Sequence, residues 1–129
     1  MDILLIGGLW LDASTWRDVV PGIEARGHRA VPVQLPAERS TTLDDQLAAV
    51  LTAVDAADGT PFVVGHSAAS TLAWLAADAR PSKVGKVGLI GGFPSADGAL
   101  YADFFEVTDG VMPFPGWEPF DGPDSADFD

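Results

Sequence analysis

The sequence predicts an α/β fold, a parallel sheet with helices on both faces. Three observations carry this prediction. Short apolar runs recur without the polar alternation of a half-exposed strand. A helical pattern separates each run from the next. Gly or Pro closes almost every segment, so the order reads strand, helix, strand, helix, strand, helix, strand. Such alternation implies right-handed crossovers within one parallel sheet.

The first strand is Ile3-Leu4-Leu5-Ile6, closed by Gly7-Gly8. Residues 14–26 read as a helix with Ser14 as its cap, Trp16, Val19, Val20 and Ile23 as its apolar stripe and Gly27 as its stop. Pro21 falls inside that stretch, which predicts a kink or a late restart. Residues 29–35 read as the second strand, stopped by Pro36. Thr42 caps the next helix, with Asp45 placed as its capping-box partner. Leu43, Leu47, Val50, Leu51 and Val54 share one face of that helix. Residues 62–64 form the third strand, 67–80 an Ala-rich helix ended by Pro81, and 84–90 the fourth strand, closed by Gly91-Gly92. Residues 103–107 have some helical pattern, but Pro113, Pro115, Pro119 and Pro123 forbid anything long afterwards.

Charge divides the chain in two. The net charge is −12 over 129 residues, yet the first 86 residues carry only −3 of it, and no Lys or Arg follows Lys86. Residues 1–93 are therefore read as the core, and 94–129 as an acidic, Pro-, Gly- and aromatic-rich segment that begins a lid. Acidity argues against a nucleic-acid partner, since phosphates would find no counter-charge. No apolar run approaches the roughly 20 residues needed to cross a bilayer, and the first residues lack a basic n-region. A cytoplasmic location is the expectation. The absence of Cys removes disulfides, thiolate metal sites and thiol catalysis. No His–carboxylate cluster has metal-ligand spacing, and neither metal nor cofactor is expected.

The stretch that carries chemistry is Phe62-Val63-Val64-Gly65-His66-Ser67-Ala68-Ala69. A lone serine before a helix is ordinarily a cap. Here an apolar strand runs through G-x-S-x-small directly into a helix, the setting in which a sharp turn lifts a serine hydroxyl above the sheet end. Crowding at that turn demands small residues two before and two after the serine, and Gly65 and Ala69 supply them. The new helix also aims its positive end at the site. Ser67 is the candidate nucleophile.

These residues resemble the α/β-hydrolase superfamily, in particular the small esterases, lactonases and hydroxynitrile lyases. Ile6-Gly7-Gly8-Leu9-Trp10 is similar to that family's first strand and His-Gly-x-x loop, with Gly7 standing where histidine is usual. Trp16-Arg17-Asp18-Val19-Val20-Pro21 and Ala25-Arg26-Gly27-His28 resemble its tryptophan-containing helix and Gly-His exit. Val33-Gln34-Leu35-Pro36 stands where Asp-Leu-Pro is usual. The similarity runs over about residues 3 to 94, the N-terminal half of the fold.

The resemblance implies strands in the order second, first, third, fourth. It also implies an oxyanion hole from the backbone N–H groups of Leu9 and Ala68, each worth roughly 3 kcal/mol to a transition state. Trp10 and Phe93 are the residues expected to line the substrate pocket. The family orders its triad serine, acid, histidine, yet both histidines here, His28 and His66, precede Ser67. His28 is read as structural and His66 as packing beside the turn. Asp97, after the fourth strand, is the only nearby acid and is read as a loop residue. The fourth strand would be an open sheet edge.

The expectation is thus a serine hydrolase for a small hydrophobic carboxylic ester or lactone. Its acid and histidine would come from a C-terminal half of the same fold, as a continuation or a separate chain. A non-catalytic small-molecule-binding homologue and a hydroxynitrile lyase-like enzyme are the alternatives.

Overall fold

The computed structural model describes residues 1–99, 101 and 106–116. Four strands form one parallel sheet: β1 (Asp2–Ile6), β2 (Arg29–Pro32), β3 (Phe62–His66) and β4 (Lys86–Ile90). Their order is β2-β1-β3-β4, as the resemblance implied. β1 pairs with β2 from Asp2 opposite Arg29 and with β3 from Ile3 opposite Phe62. β3 pairs with β4 from Phe62 opposite Lys86 to His66 opposite Ile90. Among the described residues, no helix is long and apolar enough to cross a membrane.

Side chains alternate across a strand, and β1 divides its residues between two cores accordingly. Leu4 and Ile6 face Val50, Val54, Leu72, Ala73 and Ala76, contributed by helices α2 (Leu43–Ala56) and α3 (Ser70–Ala79). Ile3 and Leu5 face Trp16 and Val64, with Val20, Ile23, Ala30 and Phe62 packed around them. The continuous apolar run of β1 is what a strand covered on both faces requires.

The stretch expected to be one helix over 14–26 is two pieces. A 3₁₀ turn, Ala13–Trp16, is capped by Asp12, whose carboxylate accepts the Ser14 N–H at 2.8 Å, so Ser14 is not the cap. Helix α1 (Val20–Glu24) then starts afresh, with Pro21 in its first turn, where a missing N–H costs nothing. β2 ends at Pro32, short of the expected 35, because proline has no N–H for the ladder; Val33 still donates to the Leu5 carbonyl at 2.9 Å. The capping box of α2 is present as read, with Thr42 N–H on Asp45 at 2.8 Å and Asp45 N–H on the Thr42 hydroxyl at 3.2 Å. β4 starts at Lys86 rather than 84. Of residues 103–107, the first three lie outside the described residues, and Glu106 and Val107 are in no helix.

Two polar ties fix the lower end of the fold. Arg80, capping α3, forks onto Asp55 near the end of α2 at 2.9 and 3.0 Å, and Lys83 Nζ donates to the Ala57 carbonyl at 2.7 Å. Asp2, only 4% exposed at the start of β1, takes both ends of the Arg29 guanidinium, with Nε at 2.9 Å, and the Asp58 N–H at 3.0 Å. One carboxylate thus joins the starts of β1 and β2 to the turn before β3.

The Arg29 hydrogen bonds, and then the Asp58 N–H, hold the Asp2 carboxyl down at about 2, against an ordinary 3.8. A depressed folded-state value means stability that is present above the unfolded pKa and lost as pH falls through the folded one. Acid titration followed by circular dichroism should therefore show wild-type stability falling between about pH 4 and pH 2, a decline that Asp2→Asn flattens while lowering stability at pH 7.

Candidate active site

The turn from β3 into α3 is built by exclusion of side chains. β3 ends at His66 in extended backbone, and Ser67 opens a 3₁₀ turn (Ser67–Ala69) that continues as α3. Ser67 has φ +53°, a left-handed conformation that a non-glycine residue adopts only when its surroundings enforce it. The enforcement is visible in the neighbouring glycines. A Cβ on Gly65 would lie 2.3 Å from the Ala69 carbonyl oxygen, and one on Gly92 would lie 2.4 Å from the Ser67 carbonyl oxygen. The strand thus passes directly beneath the helix it feeds, and the loop after β4 presses on the turn from the side.

Loop β1–α1 closes on the same point. A Cβ on Gly8 would sit 2.9 Å from the His66 carbonyl oxygen and 3.0 Å from Ser67 Cβ. Leu9, which follows, is thereby brought beside the turn. Ala68 occupies the first turn of the helix, where N–H groups have no intrahelical acceptor. Ser67, Leu9 and Ala68 therefore gather at the ends of β1 and β3.

A cleft of about 370 Å³ opens over Ser67, lined by Ser67, Ala68, Thr71, Gly91, Gly92, Phe93, Ser95 and Tyr101. Phe93 lines this cleft and is 87% exposed. Trp10 is not among the lining residues. Its backbone has φ +61°, its Nε1 donates to the Met112 carbonyl at 2.8 Å, and its ring meets Phe114 edge-on at 5.3 Å. Trp10 thus anchors the segment 106–116, which Arg39 also holds through the Asp109 carbonyl at 2.6 Å.

Sequence reasoning missed three cleft residues. Thr71 stands one helical turn after Ser67, a spacing that places both on one face. Its hydroxyl accepts the Ser95 N–H at 2.8 Å and donates to Ser95 Oγ at 3.2 Å. Tyr101 lies beyond the last periodic segment and offered no pattern to read. Burial pushes its hydroxyl up to about 12.

The titratable groups near Ser67 do not form a triad. His66 packs edge-on against Trp16, with ring centroids 6.4 Å apart, on the face of β3 that it shares with Val64. His28 sits before β2, with Nδ1 buried and unpaired. Asp97 is exposed. Among the described residues, no hydrogen bond reaches the Ser67 hydroxyl, and no group of three or more His, Asp and Glu could hold a metal ion.

A family model described as "Alpha/beta hydrolase family" matches residues 3–129. No curated protein sequence matches the chain. Among solved structures, a pyrethroid hydrolase from Sphingobium faniae JZ-2 superposes with a TM-score of 0.64 at 28% identity, over 71% of this chain and 40% of that one. An extracellular α/β-hydrolase from a Paenibacillus species gives 0.73 at 19%, over 82% and 46%. A polyneuridine aldehyde esterase variant gives 0.68 at 21%, over 80% and 45%. The chain spans less than half the length of each of these relatives.

Two variants read out the strain at the turn. Gly65→Ala places a methyl inside the Ala69 backbone and should lower stability by about 1–3 kcal/mol or more, whereas Gly22→Ala, at a helical position with its nearest atom 3.7 Å away on Arg26, should raise it by up to about 1 kcal/mol. Urea unfolding of both proteins checks the contrast. Ser67→Gly, which relieves the left-handed backbone, should be more stable than Ser67→Ala by about 1 kcal/mol in the same assay.

Proposed function

The chain belongs to the alpha/beta hydrolase family, and from that premise we propose that Ser67 is the nucleophile of a serine hydrolase acting on a small hydrophobic carboxylic ester or lactone. The observation that carries the reading is the left-handed Ser67 backbone, held between the Gly65–Ala69 and Gly92–Ser67 contacts. Such strain is a cost to folding that a simple helix cap has no need to bear. It is the price of projecting a hydroxyl from the end of a sheet.

In the proposed reaction the Ser67 oxygen attacks the ester carbonyl carbon, forming a tetrahedral intermediate whose oxyanion lies between the Leu9 and Ala68 N–H groups. A histidine base takes the serine proton and returns it to the departing alcohol; water then releases the acid and restores the serine. Neither histidine of the chain fills this role: His66 is engaged with Trp16, and His28 stands at the head of β2. The base and its acid partner are therefore assigned to a further segment of the same fold. Among the described residues nothing pairs with the outer edge of β4, where Ile90 is 48% exposed, and Trp74 is exposed on α3; both support that assignment. The segment from 94 onward serves as a lid, in keeping with the bond from Ser95 to Thr71 and with Tyr101 on the cleft wall. Among the described residues lining the cleft there is no charged side chain, which favours an uncharged substrate.

In the protein completed by its histidine-bearing segment, an alkyl fluorophosphonate should add one phosphonyl group to Ser67, located by peptide mass spectrometry, and Ser67→Ala should remove both the label and at least 10³-fold of p-nitrophenyl butyrate hydrolysis. Hydrolysis that survives Ser67→Ala sinks the assignment. A ligand-binding protein with an inert serine is the reading left standing if butyrate binds but neither labelling nor hydrolysis occurs.

A further inference from the structure

Among the described residues that line it, the cleft over Ser67 has no charged side chain but is not apolar. Ser95 and Tyr101, on the segment that follows β4, each bring a hydroxyl-bearing side chain to the lining. Thr71 sets the direction of one of them. Because the Thr71 hydroxyl accepts the Ser95 N–H at 2.8 Å and gives its own proton to Ser95 Oγ at 3.2 Å, Ser95 Oγ is an acceptor in that contact and keeps its proton for another partner. The Tyr101 hydroxyl makes no hydrogen bond to any described residue. Burial pushes it up to about 12, so it stays protonated, a donor, at any working pH. Two donors in a cleft whose described lining offers no acceptor side chain besides its own hydroxyls are an arrangement that hydrocarbon leaves unsatisfied, at a cost to binding.

We infer that Ser95 and Tyr101 form a hydrogen-bonding subsite for a second, neutral oxygen of the substrate, making this a site for oxygen-bearing esters, such as ether, keto or hydroxy esters, rather than plain alkyl esters. The inference rests on the reading of Ser67 as the nucleophile, which fixes where the scissile carbonyl lies. Specificity follows from the asymmetry of hydrogen bonding in a dry cleft. An oxygen in the right place satisfies both donors, whereas a methylene in its place removes their water and gives nothing back. Phe93 covers the rest of the chain with apolar surface.

Tyr101 is the single tyrosine of the chain, so tyrosine carrying 13C at Cζ yields one signal that reports its hydroxyl. The measurement uses the Ser67→Ala protein, in which esters persist, titrated with methyl 4-methoxybutanoate, methyl 3-ethoxypropanoate and methyl hexanoate, three esters of equal chain length. The expected result is a saturable shift with at least one ether ester and little or none with hexanoate. Ser95→Ala, which keeps the backbone N–H bond to Thr71, should weaken the ether ester roughly fivefold to tenfold. An equal response to hexanoate, no response to any of the three, or an unchanged affinity in Ser95→Ala overturns the inference. The phosphonate experiment reads the reactivity of Ser67, and this titration reads only the hydroxyls, so either can fail without the other.

Discussion

At position 65 a Cβ would come within 2.3 Å of a main-chain oxygen, and at position 92 within 2.4 Å of another. These two exclusions govern the upper end of the molecule. With no side chain on Gly65, β3 can run under the first turn of α3, and that helix can start without an intervening loop. With none on Gly92, the end of β4 lies against the Ser67 carbonyl. The serine is then the one residue of the turn left to absorb the change of direction, and it does so at φ +53°. The cleft, its two hydroxyls and the approach of Leu9 all depend on this packing of backbone on backbone.

The opposite end of the sheet is fixed by charge instead. Asp2 collects Arg29 and the Asp58 N–H, and the Arg80–Asp55 fork ties the C-terminal ends of α2 and α3. Between these polar ties and the glycine contacts lie the two cores on either face of β1. The division is physically sensible. Ion pairs tolerate small displacements and suit the end of the sheet away from Ser67, whereas the oxyanion site proposed there would need placement to within fractions of an ångström, which rigid backbone contacts supply.

Much of this was legible because it is local. The unalternating run Ile3 to Ile6 declares a strand buried on both faces, and Thr42 with Asp45 declares a helix start, each within a few residues. The Gly65, Ser67 and Ala69 pattern is likewise a requirement of one turn. The misreadings came where two local signals competed. Trp16, Val19, Val20 and Ile23 show a helical stripe, but Asp12 captures the Ser14 N–H first and Pro21 is tolerated only in a first turn, so the stripe is divided. Pro32 likewise ends the β2 ladder while the chain stays extended. The contacts of Trp10 could not be read from its place beside Leu9, because the Met112 carbonyl and the Phe114 ring that it meets lie about a hundred positions further along the chain. Tyr101 was invisible for the same reason, being 34 positions past the serine in a stretch without periodicity.

The placement of β1 bears on how the chain assembles. It precedes the other three strands in the chain and is an interior one, paired on one side across 27 positions to Arg29 and on the other to residues beginning at Phe62. β3 and β4 pair across 24 positions, from Phe62 opposite Lys86, nearly the same separation as β1 and β2. Contacts of long sequence separation are slow to close. During translation the β2 edge of β1 can be covered once Arg29 to Pro32 have emerged, whereas its β3 edge stays open until Phe62 to Gly65 have left the ribosome. The apolar run Ile3 to Ile6 is thus a strand whose last backbone edge is covered only by a segment made much later.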